Sequence, residues 1–474
     1  MRQWMVAAKK ADFYAIAEKF HVDPVVARII RNREVIGEKN IRIYLGGNLS
    51  DLSDPHQMKD MDRLVEILAQ KIRKQVHIRI IGDYDVDGVT SSHLFLTALR
   101  RVGAKVDVVI PHRIQDGYGL SLHLLQQAKE DGVDTILTCD NGIAAIDEIA
   151  WAKAQKMTVL VTDHHAVPFE EHEGRRTEKK SLADAVVNPH QQDCGYPYKE
   201  LCGAGVAWNV IRVLYENYDM DKREAEDLLD FVAMATVCDV MSLTGENRIL
   251  VKEGLKRIRH TKNIGLQALM QACNVQPENI SAYHFGYVLG PCVNATGRLD
   301  TARHALRLFE TGQETEAEEI ARDLVDLNQE RKELTLQGVE MAKKLCEEGG
   351  YENDPILVLF LLSLIDSIAG LIAGRIREMY NRPVFVLTRG EEGVKGSGRS
   401  TENYSMYENM CGCAELFTKF GGHPMAAGLS LPEENVEKFR RKINENCPLT
   451  VEEVCPDIHI DMAMPVGYAS TELV

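Results

Sequence analysis

The stretch Thr158-Val159-Leu160-Val161-Thr162-Asp163-His164-His165 joins a short apolar run to one carboxylate and two imidazoles. An apolar, β-branched run of this length predicts a buried strand. Two earlier stretches have the same form, because Ile78–Ile81 precedes the aspartates of GDYDVDG (82–88) and Thr135–Cys139 precedes Asp140. Ligands of an open α/β sheet bind beyond the carboxyl ends of its strands. The pattern therefore predicts one site formed by all three stretches.

Strand and helix patterns alternate on both sides of these stretches. Further strands are predicted at Lys105–Ile110 and Ala185–Asn188, and helices at Ser91–Arg101, Leu120–Glu130 and Ile143–Gln155. Alternation of this kind implies a parallel sheet whose strands are connected by right-handed crossovers. We therefore expect an α/β fold for this part of the chain.

The chain, at 474 residues, is long enough for two or three domains. A second α/β pattern has strands predicted at Ile356–Leu361, Val384–Leu387 and Ala427–Leu431, helices at Ile368–Tyr380 and Glu408–Phe420, and a last strand at Ile458–Met462. The predicted domains are a helical N-terminal segment (1–75), a parallel-sheet domain (76–300), a helical linker (301–350), a smaller α/β domain (351–450) and a C-terminal remainder (451–474). The linker is one long helix or a helical pair, and a cleft is expected between the two α/β domains.

The composition predicts a soluble globular protein, with 45% hydrophobic and 27% charged residues. The net charge of -16 argues against nonspecific coating of DNA but permits a local basic groove. The 11 cysteines include no CxxC pair, which favours reduced thiols and a cytoplasmic protein. The apolar run Ile356–Leu362 is far shorter than the roughly 20 residues that span a bilayer, so no membrane association is expected.

The aspartates of the first motif are open to two interpretations. Residues two apart in an extended segment point the same way, so Asp83 and Asp85 can reach one metal ion. An aspartate-rich turn before Gly88 explains the same pattern. Asp140-Asn141-Gly142 has the same ambiguity, because Asn-Gly is a common turn.

Asp163-His164-His165 is a more specific indication of a metal site than the two aspartate motifs. Histidine ligates transition metals, and carboxylates suit manganese or magnesium. A further carboxylate, Asp239, ends the apolar helical pattern Ala225–Val237, where it is costly unless it is paired or bound to a metal. Two metal ions about 3.5–4 Å apart stabilise the attacking and leaving oxygens of an in-line phosphoryl displacement. The leading hypothesis is a two-metal site that hydrolyses a phosphate ester.

Four motifs in chain order resemble the metal-site motifs of the DHH phosphoesterase superfamily: GDYDVDG (82–88), TCDNG (138–142), TDHH (162–165) and ATVCD (235–239). Four other segments resemble its RecJ branch, the single-strand-specific 5′→3′ DNA exonucleases: PHRIQDGYGL (111–120), GPCVNATGRLD (290–300), GSGRS (396–400) and GGHPMAAGLS (421–430). The resemblance covers residues 40 to 462 and implies a DHH domain followed by a DHH-associated domain.

The resemblance implies a role for each side chain of the predicted site. Metal ligation is implied for Asp83, Asp85, Asp140, His164 and Asp239. The other catalytic residues are His165, which faces the scissile phosphate, Asp163, which orients the neighbouring histidine, and Asp87, which has a supporting role. Two divalent ions are implied, with manganese expected and magnesium as the alternative.

The resemblance also implies contacts with the substrate. Arg113, Arg298 and Arg375 are expected to bind phosphates, because the planar guanidinium can hold two phosphate oxygens at once. In the smaller domain the expected nucleotide-binding residues are Ser397, Gly398, Arg399, Gly421, Gly422 and His423. GSGRS and GGH are expected to be glycine-rich loops whose N–H groups approach phosphate.

Two departures from the family pattern affect this expectation. Ile365 stands where relatives carry a histidine, which removes one substrate contact from the smaller domain. Bacterial RecJ proteins continue into an OB-fold that grips single-stranded DNA, and this chain ends at Val474, where that domain would begin. The segment 451–474 is therefore expected to be the start of a truncated or absent OB-fold, with weaker DNA binding as the consequence.

The preferred function is a metal-dependent exonuclease that degrades single-stranded DNA 5′→3′ to 5′-mononucleotides in recombination and repair. One alternative is a DHH phosphodiesterase acting on short oligoribonucleotides or cyclic dinucleotides. Another is a non-catalytic replication scaffold, against which the complete set of metal-site residues argues. The expected partner is single-stranded DNA, a helicase or single-strand-binding protein is a further candidate, and the chain is expected to be a monomer.

Overall fold

A computed structural model describes residues 4–112, 116, 119–172, 175–299, 301–362, 364–390, 393–471 and 473. The chain divides into two compact units. The parallel-sheet unit consists of Val35–Asn328, and the mixed-sheet unit consists of Met1–Glu34 together with Gln329–Val474.

The strands, in chain order, are β1 (Trp4–Val6), β2 (Ile78–Ile81), β3 (Val106–Val109), β4 (Thr135–Cys139), β5 (Thr158–Thr162), β6 (Phe169–His172), β7 (Arg175–Glu178), β8 (Ala185–Val187), β9 (Leu357–Phe360), β10 (Val384–Gly390), β11 (Gly393–Arg399), β12 (Lys419–His423), β13 (Ala426–Leu431) and β14 (Ile458–Ile460).

The helices before residue 260 are α1 (Phe13–Phe20), α2 (Pro24–Asn32), α3 (Glu38–Gly46), α4 (Met61–Arg73), α5 (Val86–Arg101), α6 (Leu122–Glu130), α7 (Ile146–Ala154), α8 (Gly203–Asn217), α9 (Arg223–Glu226), α10 (Leu229–Cys238) and α11 (Gly245–Ile258). Those that follow are α12 (Ile264–Ala272), α13 (Ala282–His284), α14 (Gly290–Leu299), α15 (Arg303–Glu310), α16 (Glu314–Glu348), α17 (Asp366–Tyr380), α18 (Met406–Cys411), α19 (Val436–Glu445) and α20 (Val451–Val454), with a π-helical turn at Phe285–Leu289.

The parallel-sheet unit contains a five-stranded sheet in the order β3-β2-β4-β5-β8. All four strand pairings are parallel, which confirms the predicted α/β sheet. Ile80, Leu137 and Leu160 are completely buried in its core. Since every strand runs the same way, the residues that follow β2, β4 and β5 lie at one edge of the sheet. This edge carries the candidate site.

The mixed-sheet unit contains a second five-stranded sheet in the order β12-β13-β11-β10-β9. Strands β9 and β10 are parallel, and the other neighbours are antiparallel. The helix predicted at Glu408–Phe420 is wrong beyond Cys411, where α18 ends with Gly412 as its C-cap. The end of that segment instead enters β12, because pairing with β13 satisfies its backbone groups. Helix α17 is confirmed and packs against β10 and β11.

Long-range pairing changes the prediction for the beginning of the chain and confirms the strand predicted near its end. The segment 1–75, predicted to be helical, contains the strand β1, which pairs in parallel with β14. The last predicted strand therefore has its partner at the opposite end of the chain. The stretch predicted as a helical linker contains two helices of unequal length, α15 and α16. In the described part of the chain, no helix is both long and apolar enough to cross a membrane.

Candidate metal centre

Four short segments bring the predicted ligands together. Asp83 follows β2, and Asp85 is the N-cap of α5, where its Oδ1 accepts a hydrogen bond of 3.0 Å from the Gly88 amide. Asp140 follows β4 in a left-handed backbone conformation, with φ at 61°. Asp239 is the C-cap residue of α10.

The acidic and imidazole side chains form three overlapping groups, in each of which the ligand atoms lie within 4.8 Å of one another. The groups are Asp83 with Asp85 and Asp140, Asp140 with His164 and His165, and Asp87 with His164 and Asp239. The structure thus brings together every predicted metal and catalytic side chain except Asp163, which lies directly behind them.

His164 is central to this cluster. Its Nε2 lies 3.1 Å from Asp140 Oδ1, 3.6 Å from Asp87 Oδ2 and 3.7 Å from Asp239 Oδ2. An imidazole nitrogen surrounded by three carboxylates is a set of donor atoms that suits a transition-metal ion.

Asp163 organises the two histidines. Its Oδ1 accepts hydrogen bonds from the His164 amide at 2.7 Å and from the His165 amide at 3.0 Å, and it contacts His165 Nδ1 at 2.8 Å. Its Oδ2 accepts a hydrogen bond of 2.9 Å from the Ile143 amide. These contacts hold the His165 ring in one orientation, which is what the predicted orienting role requires.

Asp87 is held by the first turn of α8. Its two carboxylate oxygens accept hydrogen bonds of 2.6 Å from the Gly203 amide and 2.7 Å from the Ala204 amide. A carboxylate at a helix N-terminus satisfies amides that have no partner inside the helix and interacts favourably with the helix dipole. Asp87 therefore connects α5 to α8 and at the same time lies within the ligand cluster.

Close approach of backbone segments explains two glycines of the site. A Cβ atom on Gly88 would lie 2.5 Å from the Asp83 amide nitrogen, and one on Gly203 would lie 2.7 Å from Asp140 Cβ. Any side chain at either position would displace an aspartate of the cluster.

Burial and mutual repulsion dominate the electrostatics of the cluster. Burial, with the nearby Asp85 carboxylate, raises the pKa of Asp83 well above its ordinary value. Burial also raises the pKa of Asp239 to about 8. Burial lowers the pKa of His165, but the hydrogen bond with Asp163 outweighs this effect and raises the pKa to about 9. Without a cation the cluster therefore carries more negative charge than its surroundings can stabilise.

The donor atoms fit divalent metal ions. Asp83 Oδ1 and His164 Nε2 are buried and have no hydrogen-bond partner among the described residues. Burial lowers the pKa of His164, which keeps a nitrogen lone pair available for a metal. A set of carboxylate oxygens with imidazole nitrogens suits manganese and magnesium.

The residues predicted to contact the substrate are distributed over both units. Arg113 lies outside the described residues. Arg298 lies in the last turn of α14, and this helix is attached to the site because Asn294 Oδ1 accepts a hydrogen bond of 3.2 Å from the Val86 amide. In the mixed-sheet unit, Arg375 lies on α17, with its side chain 69% exposed and 3.5 Å from Glu378.

The glycine-rich segments of the mixed-sheet unit are strands, so their prediction as loops is wrong. Ser397, Gly398 and Arg399 belong to β11, and Gly421, Gly422 and His423 belong to β12. Strand β11 lies between β10 and β13, and β12 pairs with β13 at the edge of the sheet, and this pairing outweighs the turn preference of glycine. Arg399 and His423 are both in register with Ala426 of the intervening strand β13. Ile365 precedes α17 and is 41% exposed.

Sequence reasoning missed the supports of the site. The amides of Gly203 and Ala204 and the side chain of Asn294 hold the first turn of α5, yet they lie over 100 residues from it in sequence. Asn294 belongs to the segment GPCVNATGRLD, so the motif indicated this region but not the hydrogen bond that Asn294 accepts there. The α8 donors are backbone amides, so the identities of the side chains do not indicate this contact.

Comparison with known proteins agrees with this arrangement. Residues 77–236 match the DHH family N-terminal domain, and residues 353–447 match the DHHA1 domain. The single-stranded-DNA-specific exonuclease RecJ of Haemophilus influenzae is 35% identical to this chain over 89% of the chain and 74% of its own length. The chain belongs to the RecJ family. The RecJ of Bacillus subtilis is 33% identical over 97% of the chain, which spans 57% of that relative.

A crystal structure from the same family has the same fold. The RecJ of Thermus thermophilus in complex with Mn2+ matches 98% of this chain and 65% of that structure, with a TM-score of 0.79 and 27% identity. A manganese ion bound in a RecJ structure is consistent with the cation requirement of the carboxylate cluster described above.

Proposed function

We propose that this chain is a metal-dependent exonuclease that degrades single-stranded DNA 5′→3′ and releases 5′-mononucleotides. The observation that carries the proposal is the convergence of five carboxylates and two imidazoles at one edge of the parallel sheet, in three groups with ligand atoms within 4.8 Å. The relatives that the chain resembles are named single-stranded-DNA-specific exonucleases, which supports this substrate class.

We assign two divalent ions to the centre. Asp83 and Asp85 would hold one ion and His164 and Asp239 the other, with Asp140 suited to bridge them because it belongs to two of the three groups. Manganese is the expected ion, since an imidazole is present beside the carboxylates, and magnesium is the alternative. When bound, a pair of such ions activates water and neutralises the developing charge of the phosphoryl group.

The chain's own side chains have distinct tasks. The His165 side chain is 43% exposed, its Nδ1 contacts Asp163, and its ring is proposed to face the substrate. As a cation it can donate a hydrogen bond to a phosphate oxygen, where charge develops during the reaction. Arg298 is proposed as a phosphate contact, attached to the site by α14. The residues of β11 and β12, with Arg375, are proposed to hold the nucleotide.

The test is degradation of a long 5′-phosphorylated single strand in the presence of manganese. Wild type is compared with Asp140→Asn and with the matched control Asp219→Asn. Asp140 and Asp219 both have positive φ, at 61° and 52°, so asparagine suits the backbone equally well at the two positions. Asp219 is exposed and lies outside the three groups.

We expect mononucleotides to be released in order from the 5′ end by wild type and by Asp219→Asn. Asp140→Asn should lose at least about a hundredfold in rate, because removal of a ligand should cost at least as much as the roughly 10–100-fold that is lost when a partner of a ligand is removed. Blunt duplex DNA and a dinucleotide serve as competing substrates. Cleavage of the dinucleotide alone would replace this proposal with the short-oligonucleotide phosphodiesterase, and degradation of the duplex at the same rate would contradict single-strand specificity.

A further inference from the structure

Two cysteine thiols of the parallel-sheet unit lie close together, and neither belongs to the metal centre. Cys273 is the C-cap residue of α12, and Cys292 lies in the first turn of α14. Their sulfur atoms are 3.8 Å apart, and both residues are in the thiol form. Because a disulfide bond is about 2.05 Å long, the two sulfurs need to approach by only about 1.8 Å to be joined.

The two thiols differ in their access to solvent. Cys273 is partly exposed, whereas only 2% of Cys292 is exposed. A small oxidant in solution therefore reaches Cys273 first. Redox-sensitive cysteines are commonly accessible and lie next to a second thiol that resolves their oxidised form. The difference in burial gives Cys273 and Cys292 these two roles.

Polar groups around Cys292 hold its sulfur in place. The Cys292 thiol donates a hydrogen bond of 3.2 Å to the Val288 carbonyl oxygen, and its sulfur accepts one of 3.4 Å from Asn328 Nδ2. The contact with Val288 orients the sulfur. The amide of Asn328 stabilises negative charge on it, and the thiolate is the form of cysteine that attacks.

Cys273 can move towards its partner without a change inside a helix. It follows Ala272, the last residue of α12, and the next residue, Asn274, has positive φ at 55°. Helix ends fray, so a residue in this position moves at little cost. We expect the end of α12 to make the approach, which leaves α14 and the hydrogen bond of Asn294 with the first turn of α5 in place.

We propose that Cys273 and Cys292 are a peroxide-reactive pair that forms an intramolecular disulfide. The Cys273 sulfur attacks hydrogen peroxide, the O–O bond breaks, and a sulfenic acid and one water are formed. The Cys292 sulfur then attacks the Cys273 sulfur, the S–O bond breaks, and the hydroxyl leaves with the remaining thiol proton as a second water. The two thiols lose two electrons, which reduce one peroxide to two waters.

The test treats the full folded chain with hydrogen peroxide in EDTA, alkylates the remaining thiols in denaturant and analyses the peptides by mass spectrometry. Trypsin leaves both cysteines on one peptide, residues 263–298, because no lysine or arginine lies between Lys262 and Arg298. The oxidised peptide should lack both alkyl groups and two hydrogen atoms. Chymotrypsin cleaves after Tyr283, and the two halves should stay joined until dithiothreitol is added. Titration should count 11 thiols before oxidation and two fewer afterwards.

Three variants test the two roles. Cys292→Ser should abolish the linked peptide and leave Cys273 as a sulfenic acid that dimedone traps. Cys273→Ser should also prevent the bond, and it keeps the test valid if Cys292→Ser misfolds. Cys455→Ser is the matched control, because Cys455 is partly exposed as Cys273 is and its sulfur donates to the Val451 carbonyl oxygen at 3.2 Å. This variant should form the disulfide as wild type does.

The same reaction in denaturing urea shows whether the fold causes the pairing. The disulfide should form at least about tenfold more slowly there, because only the folded chain holds the two sulfurs together. Three results would overturn the proposal: both cysteines stay alkylated while other thiols are oxidised, either one is linked to a different cysteine, or the pair forms as fast in urea. The measurement uses neither DNA nor a metal ion, so its outcome is independent of the proposed exonuclease activity.

Discussion

Replacing Asp83 with asparagine is expected to stabilise the metal-free protein and to remove its stabilisation by manganese. Asp83 is 2% exposed, and its Oδ1 has no hydrogen-bond partner among the described residues. Its carboxylate shares a group with Asp85 and Asp140 in which the ligand atoms lie within 4.8 Å. An amide of nearly the same shape removes one negative charge and adds a donor that can face those carboxylates.

The magnitude follows from the distance. Two unit charges at the group's upper limit of 4.8 Å repel each other by about 3.5 kcal/mol at an effective dielectric constant of about 20. Burial and the neighbouring Asp85 carboxylate raise the pKa of Asp83, so uptake of a proton by Asp83 can relieve part of this repulsion. We therefore expect a gain of about 1–3 kcal/mol in the free energy of unfolding in EDTA. Wild type should gain about 2.7 kcal/mol when manganese is present at 100 times its dissociation constant.

Urea unfolding followed by circular dichroism measures both quantities, for wild type, Asp83→Asn and the control Asp219→Asn, in EDTA and in manganese. Asp219→Asn should follow wild type under both conditions, because Asp219 is exposed and outside the cluster. If Asp83→Asn is less stable than wild type in EDTA, repulsion within the cluster is not the largest contribution to its stability. If manganese stabilises the variant as much as wild type, Asp83 is not a ligand.

Substitutions at three further positions test the supports of the site and the buried carboxyl of Asp230. Gly203→Ala should cost about 1–3 kcal/mol of unfolding free energy and weaken manganese binding in calorimetry, because its Cβ would lie 2.7 Å from Asp140 Cβ; Gly46→Ala, which has open space around it, should do neither. Asp87→Ala should cost about 1–2 kcal/mol in urea unfolding in EDTA, because the loss of two amide hydrogen bonds to a charged acceptor, about 3 kcal/mol, is partly offset by the relief of repulsion within the cluster, and Asp87→Asn should cost less. Burial raises the pKa of Asp230 to about 6, so the folded state retains a proton that the unfolded state releases near its ordinary pKa of 3.8, and this contribution to stability is lost as pH rises between these values. Asp230→Asn should therefore be more stable than wild type by about 3 kcal/mol above about pH 6 and by less than about 1 kcal/mol at about pH 4, in unfolding curves measured across that range. An advantage that does not depend on pH would contradict the assignment to Asp230.

The membership of the RecJ family and the metal centre depend on different kinds of evidence. Membership rests on similarity over most of the chain. The centre rests on distances within the parallel-sheet unit, such as the 3.1 Å between His164 Nε2 and Asp140 Oδ1. Since neither depends on the other, the site residues can be tested by substitution without assuming the activity of the relatives.

The sequence by itself determined the parallel sheet and the identity of the clustered side chains. Strands β4 and β5 have the bounds that the apolar runs predicted, because a strand buried on both faces must be continuously apolar. Parallel strands end at one edge, so the polar residues that follow them had to meet there. Helix α17 was equally predictable, since its apolar periodicity is local.

Tertiary structure alone decided the features that depend on partners distant in sequence. The segment Lys419–His423 forms a strand because β13 lies beside it, and Trp4–Val6 forms one because Ile458–Ile460 does. Asp87 gained its two amide partners only when α8 docked against α5. The contacts of the His93 ring with Phe231 and Phe309 likewise form only where α5, α10 and α15 meet. The local sequence pattern indicates which face of a helix or strand is buried. Which other element covers that face is decided by packing and by the requirement that buried polar groups be paired.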